Sequence, residues 1–199
     1  VYKRQIYEYA NENIKTRYLI KLSEGELVGS FGMSEPNHGS DPHSMSTRFY
    51  STNEGYVING SKLWIGQAPI CDLALIWAKN NKNEFGLFLI ERNTNGFETS
   101  KIENKWGFRG SETGELIFND LKIKKDNLLF QTKKFEEVLK CLNIGRYAVS
   151  WGALGIAMDC YDCALKYSNE RKQFGKKIAS FQLVQKLSLI HISEPTRLR

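Results

Sequence analysis

The feature that most constrains this chain is an abrupt change in its hydrophobic period. From Leu27 to about Ile123 the apolar residues follow a period of two, and β-branched and aromatic residues are frequent, which is typical of half-buried strands. From Phe135 to Arg171 there is no proline, and the apolar residues recur at helical spacing. Two such segments in sequence predict an α+β protein in which the strands and a long helix form separate regions.

Turn signals divide the strand segment into short pieces. The predicted strands share β-branched and aromatic residues, and they are Arg48–Ser51, Tyr56–Ile58, Lys62–Ile65, Leu73–Ala78, Gly86–Glu91 and Glu115–Phe118. Asn53-Glu54-Gly55, Asn59-Gly60 and Asn95-Gly96 supply the turns. Many short strands without intervening helices predict an antiparallel barrel or sandwich, which we place at residues 27–131 as a middle β-domain.

Helical segments flank the predicted β-domain. Residues 6–23 space apolar side chains at helical intervals and precede a Glu-Gly break, so residues 6–26 are interpreted as the end of an N-terminal helical domain. At 1.5 Å per residue, the long helix could span about 50 Å. Its glycines and alanines predict close packing against another helix, and a second helix is expected after Ala179-Ser180. Residues 132–186 therefore read as the start of a C-terminal helical bundle.

The two ends of the chain are expected to be foreign to the protein. The codons GTG TAT AAG AGA CAG encode residues 1–5, and their reverse complement encodes Leu-Ser-Leu-Ile-His at residues 187–191. This inverted repeat resembles the adapter of transposase-based sequencing libraries, so residues 1–5 and 187–199 are interpreted as adapter-derived. Removing Lys3, Arg4, Arg197 and Arg199 together with Glu194 lowers the net charge from +6 to +3. This reduction argues against a nucleic-acid partner.

Composition excludes several protein classes. The 199 residues are 41% hydrophobic and 25% charged, which excludes a repeat fibre, a disordered tail and a disulfide-dense mini-protein. No stretch approaches the roughly 18 apolar residues of a membrane span, so none is predicted. Cys160 and Cys163 form a single CxxC inside a helical pattern, without a second pair or a nearby histidine. We therefore expect free thiols and no metal site.

Three segments could carry chemistry, and each has a structural alternative. Residues 31–41 combine small residues, hydroxyls and backbone donors that could approach a flat ligand or a phosphate, although composition alone favours a long turn. Trp64, near Gly66, could form an aromatic wall, whereas a lone tryptophan is more often core. Residues 170–175 end the long helix with cations, which suits either a phosphate clamp or helix-dipole complementarity.

Together and in this order, the three segments resemble the acyl-CoA dehydrogenase family of flavoproteins over nearly all of residues 6–186. The family loop has a hydrophobic residue, a Ser or Thr, Glu, two variable residues, a small residue and then Gly-Ser-Asp. The residues that match this loop are Met33, Ser34, Glu35, Gly39, Ser40 and Asp41. His38 departs from the pattern, because a small residue is usual there. Residues 31–42, 141–152 and 171–186 are most similar to the glutaryl-CoA dehydrogenases, mainly through Arg146-Tyr147 and Trp151-Gly152.

The resemblance implies an FAD site. Its lining residues on the loop would be Phe31, Gly32, Met33, Ser34, Glu35, Pro36, Asn37, His38, Gly39 and Ser40. Trp64, Ile65 and Gly66 would cover the flavin face away from substrate, and Gly66 stands where the family normally has a threonine. Arg171 and Gln182 would contact the FAD of a neighbouring subunit, which implies a homo-oligomer, expected to be a tetramer.

The resemblance also implies a site for the CoA moiety of an acyl-CoA substrate. Its residues would be Ser40, Leu139, Lys140, Cys141, Leu142, Asn143, Ile144, Gly145 and Arg146. The reaction needs a carboxylate that removes the acyl α-proton. Some members carry this glutamate immediately before the arginine that matches Arg146, where this chain has Gly145. No catalytic residue is therefore assigned, and the base is expected beyond Lys186.

The implied activity is FAD-dependent oxidative decarboxylation of glutaryl-CoA to crotonyl-CoA and CO₂, with electrons passed to an electron-transferring flavoprotein. Alternatives are a non-decarboxylating short-chain acyl-CoA dehydrogenase, an acyl-CoA oxidase and, from another class, a non-catalytic ligand-binding module. The expected compartment is the cytoplasm of a bacterium or the mitochondrial matrix of a eukaryote. The isolated 199-residue chain is expected to be inactive.

Overall fold

The computed structural model describes residues 2–192, except for the side chains of Ile144 and of residues 189–192. Val1 and residues 193–199, which belong to the ends interpreted as adapter-derived, lie outside that range. The chain divides into two compact units, Val1–Ile144 and Gly145–Arg199. The boundary falls inside the long helix.

The first unit begins with two helices, α1 (Tyr2–Tyr9) and α2 (Glu12–Glu24). The helical pattern of residues 6–23 is thus divided, because the side chain of Asn11 accepts a hydrogen bond from the Ile14 amide at 3.0 Å and starts a new helix. Gly25 ends α2 in the left-handed conformation, at a φ of 80°. The helical spacing of this segment is therefore borne out, in two helices.

Eight strands form one sheet in this unit. They are β1 (Gly29–Gly32), β2 (Arg48–Ser51), β3 (Gly55–Gly66), β4 (Leu73–Lys79), β5 (Phe85–Glu91), β6 (Phe97–Lys101), β7 (Thr113–Lys124) and β8 (Leu128–Thr132). Neighbouring strands follow the order β6-β7-β3-β2-β4-β5-β8, and β1 pairs with β4. The α+β class and the middle β-domain are confirmed. However, β1 and β2 pair with β4 in parallel, unlike the wholly antiparallel pattern expected.

The turn predicted at Asn59-Gly60 was wrong, because β3 runs through it. The register between β3 and β7 shifts between Ile58 and Gly60, which marks an irregularity inside the strand. Gly60 has a φ of 138°, and a Cβ there would stand 2.7 Å from the Thr47 Cα. The glycine therefore serves a strained strand position with a close backbone neighbour.

The central strand β4 is buried along its whole length. Ala74, Ile76 and Ala78 belong to one core cluster, which also contains Phe49 and Phe88. Leu73, Leu75 and Trp77 belong to a second cluster, which includes apolar residues of α1 and α2. Because successive strand residues point to opposite faces, β4 separates the two clusters and holds the helices against the sheet.

The long helix α3 (Phe135–Glu170) confirms the prediction to within one residue. In the second unit it is followed by the short strands β9 (Lys172–Gln173) and β10 (Lys176–Lys177), which pair antiparallel, and by α4 (Gln182–Ile192). Within the described part of the chain, no helix is long and apolar enough to cross a membrane. Among the side chains that the structure describes, no group of three or more His, Cys, Asp or Glu could hold a metal ion.

Candidate functional site

The loop that follows β1 forms a tight turn with an exposed tip. The Glu35 amide donates to the His38 carbonyl at 3.2 Å, and the His38 amide donates to the Glu35 carbonyl at 3.1 Å. Pro36 and Asn37 lie at the tip between them, and Gly39 and Ser40 follow, all four exposed. The loop therefore offers backbone groups and a serine hydroxyl to solvent while its base is held in place.

Glu35 holds the base of the loop from inside the protein. Its side chain is fully buried. One carboxylate oxygen accepts from the Ser46 amide at 2.5 Å and the Ser46 hydroxyl at 2.6 Å, and the other accepts from the Thr47 amide at 3.0 Å. The second oxygen also accepts from the Lys62 ammonium at 2.8 Å. Both oxygens of the buried Glu35 carboxylate are thus hydrogen-bonded, and the side chain serves the structure of the loop.

Lys62, on β3, is the buried partner of Glu35. Its ammonium lies 2.8 Å from the carboxylate, and both side chains have 0% exposure. It also donates to the Met33 carbonyl at 3.2 Å. Burial lowers the pKa of Lys62 to about 8, against the opposing influence of Glu35. Sequence reasoning missed this residue, because a lysine at an inward position of a strand pattern reads as surface.

The Glu35 carboxyl is strongly favoured in its ionised form. Burial by itself raises its pKa, but the charge of Lys62 and the hydrogen bonds from Lys62, Ser46 and Thr47 outweigh burial and lower the pKa to about 2. The pair is therefore a charged, hydrogen-bonded couple at neutral pH. A proton-transfer role for Glu35 is disfavoured, since its proton affinity is too low for a base near pH 7.

The end of β3 contains a strained tryptophan. Trp64 has a φ of 64°, in the left-handed region, where a bulky residue is an outlier. The pairing of β3 with β7 is irregular between Lys62 and Ile65, so Trp64 occupies a bulge. Such a conformation costs on the order of 1–3 kcal/mol and persists only where its surroundings impose it. The bulge turns the indole outward, and Trp64 is 62% exposed.

The structure brings the loop and the end of β3 together. The Leu63 amide donates to the Ser34 carbonyl at 2.9 Å, so Ser34 lies beside the residue that precedes Trp64. Ile65 is buried in the first core cluster. Phe31 is half-buried against the second cluster, and Gly32 packs closely enough for a Cβ to stand 3.0 Å from the Lys62 Cγ. The two segments predicted to line one ligand are therefore adjacent.

A groove of about 450 Å³ borders Trp64 and Gly66. Its opposite side is formed by the segment 105–113, including the strongly exposed Trp106 and Phe108. Sequence reasoning missed this segment. The available signal was two aromatic residues on either side of Gly107, in a stretch with no strand period.

Gly66 is not required by the local packing. A Cβ built there meets nothing within 4 Å, and its φ lies outside the positive range. A larger residue would fit, so neither close packing nor backbone strain explains the glycine. The same open surroundings are found at Gly39.

The predicted CoA segment lies on α3 and reaches the last residues of the first unit. Cys141 and Leu142 pack against the second core cluster, whereas Lys140 and Asn143 are exposed. Burial chiefly raises the pKa of the Cys141 thiol to about 11, so it remains protonated at neutral pH. Leu139 is half-buried, and the side chain of Ile144 lies outside the described residues.

The other predicted residues belong to the second unit. Gly145 and Arg146 lie on α3, and the Arg146 carbonyl accepts from the Ser150 hydroxyl at 2.9 Å. Arg171 is exposed after the end of α3, and its carbonyl accepts from the Ile178 amide at 2.9 Å. Gln182 is the exposed first residue of α4. Arg171 thus directly precedes the β9–β10 hairpin, and Gln182 follows it at the start of α4.

Two family models match long segments of the chain. The family model for the acyl-CoA dehydrogenase middle domain matches residues 30–121, and that for the acyl-CoA dehydrogenase C-terminal domain matches residues 135–190. Together the two matches cover well over half of the chain. Residues 122–134, which include β8, lie between the two matches.

Individual relatives point to the same family. The chain is 37% identical to a probable acyl-CoA dehydrogenase, YngJ, of Bacillus subtilis, over 90% of this chain and 49% of that protein. It is 38% identical to a glutaryl-CoA dehydrogenase of Desulfococcus multivorans, over 90% of this chain and 48% of that protein.

A solved structure is similar over nearly the whole chain. It is a glutaryl-CoA dehydrogenase from Mycobacterium smegmatis in complex with FADH₂, with a TM-score of 0.92 and 31% identity, covering 96% of this chain and 50% of that chain. The present chain therefore spans about half the length of the relatives it matches.

Proposed function

This chain belongs to the acyl-CoA dehydrogenase family, and on that premise we propose that the whole protein is an FAD-dependent acyl-CoA dehydrogenase. The observation that carries the proposal is the contact between the loop and the end of β3, joined by the Leu63–Ser34 hydrogen bond and the buried Lys62–Glu35 pair. This contact places an exposed indole beside a loop rich in backbone donors, which suits a flat ring with polar edges.

The residues present fit FAD. An exposed Trp64 leaves an apolar ring face uncovered beside a groove, and Gly66 leaves open space next to it. Of the loop residues from Phe31 to Ser40, those with exposed or half-buried side chains would meet the polar edge of the flavin and the phosphates, whereas the Glu35 side chain is enclosed and supports the loop from inside. When bound, FAD accepts the hydride that leaves the acyl β-carbon. The protein's part is to bind, orient and shield the reacting bond from water.

Arg171 and Gln182 are proposed to reach the FAD of a neighbouring subunit in a homotetramer. Both are exposed, Arg171 directly before the β9–β10 hairpin and Gln182 at the start of α4, and a guanidinium suits a pyrophosphate. In the whole protein, Arg171→Ala should weaken the binding of FAD by about 1.5–3 kcal/mol. It should change KM for acyl-CoA by less. Lys172→Ala, also exposed, is the control. Unchanged FAD occupancy in Arg171→Ala would contradict this role.

The segment from Leu139 to Arg146 is proposed to hold the CoA moiety, with Ser40 shared between the cofactor's phosphates and the pantetheine. Lys140, whose ammonium lies 2.7 Å from the Glu137 carboxylate, and the exposed Arg146 carry positive charge of the sign that suits the nucleotide end. No carboxylate occupies position 145. We therefore place the catalytic base beyond Lys186 and expect the 199-residue chain to lack dehydrogenase activity, which a dye-reduction assay with acyl-CoA tests directly.

We propose glutaryl-CoA as the substrate, with electrons passed to an electron-transferring flavoprotein. Overall identity does not separate this substrate from others in the family, so the proposal depends on Arg146-Tyr147 and Trp151-Gly152. Oxidation between Cα and Cβ leaves the terminal carboxylate on the γ-carbon. Loss of CO₂ then sends the electron pair of the C–C bond through the double bond into the thioester carbonyl, and a returned proton gives crotonyl-CoA.

The test is product analysis with the whole protein, glutaryl-CoA and an electron acceptor. CO₂ and crotonyl-CoA should form in equal amounts. An unsaturated dicarboxylic thioester alone, or a clearly better rate with butyryl-CoA, would contradict the glutaryl-CoA assignment and leave the flavoprotein assignment intact. Oxygen consumption would identify an oxidase, and a colourless protein without FAD would identify a binding module. We propose the cytoplasm as its compartment in a bacterium and the mitochondrial matrix in a eukaryote.

A further inference from the structure

We propose that the buried Glu35–Lys62 pair is a positioning device that fixes the Trp64 indole and the loop 33–40 in register, that is, in a constant position relative to each other. Neither side chain can touch a ligand directly, because both are completely enclosed. Their action would pass through Leu63, whose amide bonds to the loop. The effect of this register on a flavin depends on the proposed function, whereas the register itself does not.

The pair connects three pieces of backbone at one point. The Lys62 ammonium reaches the Met33 carbonyl and the Glu35 carboxylate, which lie on either side of Ser34. Glu35 in turn binds the amides of Ser46 and Thr47, beyond the exposed part of the loop. Lys62, two residues before Trp64, therefore ties to β3 both the start of the loop at Met33 and, through Glu35, the backbone at residues 46–47.

Trp64 needs such a restraint. It holds a left-handed conformation that a bulky residue rarely adopts, and its exposed indole gains little from packing. On its C-terminal side, Gln67 is also left-handed and its amide donates to the Glu112 carbonyl at 2.6 Å. On its N-terminal side, the Lys62 side chain and the Leu63 amide supply the restraint. The bulge is thus fixed from both sides by groups other than the indole.

Stability alone does not require this arrangement. A buried ion pair can often be replaced by apolar residues of similar volume without loss of stability, because the cost of removing charges from water offsets their attraction. The charged pair adds directional hydrogen bonds. The carboxylate accepts four of them, from an ammonium, two amides and a hydroxyl. An apolar pair would fill the space without specifying which backbone atoms meet.

The test is hydrogen exchange on the 199-residue chain carrying Glu35→Gln together with Lys62→Met. This double variant removes both charges and leaves no single charge buried. Exchange of the Leu63 amide should rise at least about tenfold, while the amides of β4 keep their protection, because the opening is local. Leu121→Ala, in the β7 core, is the matched control and should raise exchange across the whole sheet.

An unchanged Leu63 amide, or one that exchanges faster only in proportion to β4, would overturn the proposal. If the double variant does not fold, Ser46→Ala replaces it, since it removes the hydroxyl that donates to the Glu35 carboxylate at 2.6 Å without removing a charge. It should loosen Leu63 before β4, and the opposite order would count against the device.

A second readout uses the whole protein with FAD. A displaced Trp64 should change the shape of the visible flavin band and the flavin reduction potential in the double variant, whereas Leu121→Ala should leave both unchanged. A parent protein that binds no FAD would refute the proposed function and leave the exchange result to stand. A flavin band and potential identical to those of the parent would refute the link between the pair and the cofactor.

Discussion

The two compact units differ in how far their apolar side chains are exposed to solvent. In the first unit, Trp77, Phe49 and Phe88 are at most 1% exposed, within two core clusters that share β4. In the second unit, apolar side chains along α3 face solvent, among them Trp151 at 60% and Ile156 at 64% exposure. Within the described part of that unit, the buried residue is Ser168, at 9% exposure.

This difference shows where each unit gets its stability. The first unit buries its own apolar surface, so its sheet and helices support each other. The second unit leaves apolar side chains exposed on more than one face of α3, and exposed apolar surface of this kind marks an interaction site. A helix gains most of its stability in proteins from packing an apolar face. Substitutions should therefore have large effects in the first unit and small ones in the second.

The largest predicted effect comes from a matched pair of tryptophans. Trp77→Ala should lower the free energy of unfolding by about 3–5 kcal/mol, because it opens a cavity in the second core cluster. Trp151→Ala should change it by less than about 0.5 kcal/mol in this chain, because the side chain is exposed. Urea unfolding of both variants measures the contrast. Similar losses for the two would show that α3 is packed in solution.

The first unit should lose stability at low pH, and we call this part of the pH profile the acid limb. The pKa of Glu35 is lowered from 4.5 to about 2, so its contribution is fully present above about pH 4.5 and is lost as the pH falls through about 2. At about 1.4 kcal/mol per pKa unit, the loss should be at most roughly 3–4 kcal/mol. Glu35→Gln should flatten this limb in acid titrations of near-ultraviolet circular dichroism, whereas the exposed Glu136→Gln should leave it unchanged.

The smallest predicted effects have opposite signs in the two units. Gly60→Ala should destabilise the chain by at least about 1 kcal/mol, because its φ of 138° is unfavourable for alanine and Thr47 leaves no room. Gly152→Ala should stabilise this chain by up to about 1 kcal/mol, because its position on α3 is open and alanine favours a helix. Thermal unfolding measures both. A loss of stability in Gly152→Ala would mean that another helix already packs there.

Much of the fold was predictable because it depends on local patterns. The β-branched and aromatic runs predicted β2, β4 and β5 to within a residue, and the absence of proline predicted the length of α3. The predictions failed at positions where the local sequence has a role other than the one its residue types usually indicate. Asn59-Gly60 looks like a turn, but its glycine serves an irregular strand beside Thr47. The break at Asn11 depends on a cap that the apolar spacing alone conceals.

The candidate site divides in the same way. The sequence by itself determined which residue types lie on the loop and at Trp64, because a motif of fixed spacing carries them. Only the tertiary structure decided that Lys62 meets Glu35, that Leu63 binds Ser34 and that Trp64 turns outward in a bulge. The physical reason is that these contacts join residues far apart in the chain, and the sheet register sets their distances. Local propensity carries no information about such a register, whereas a buried ion pair depends on it entirely.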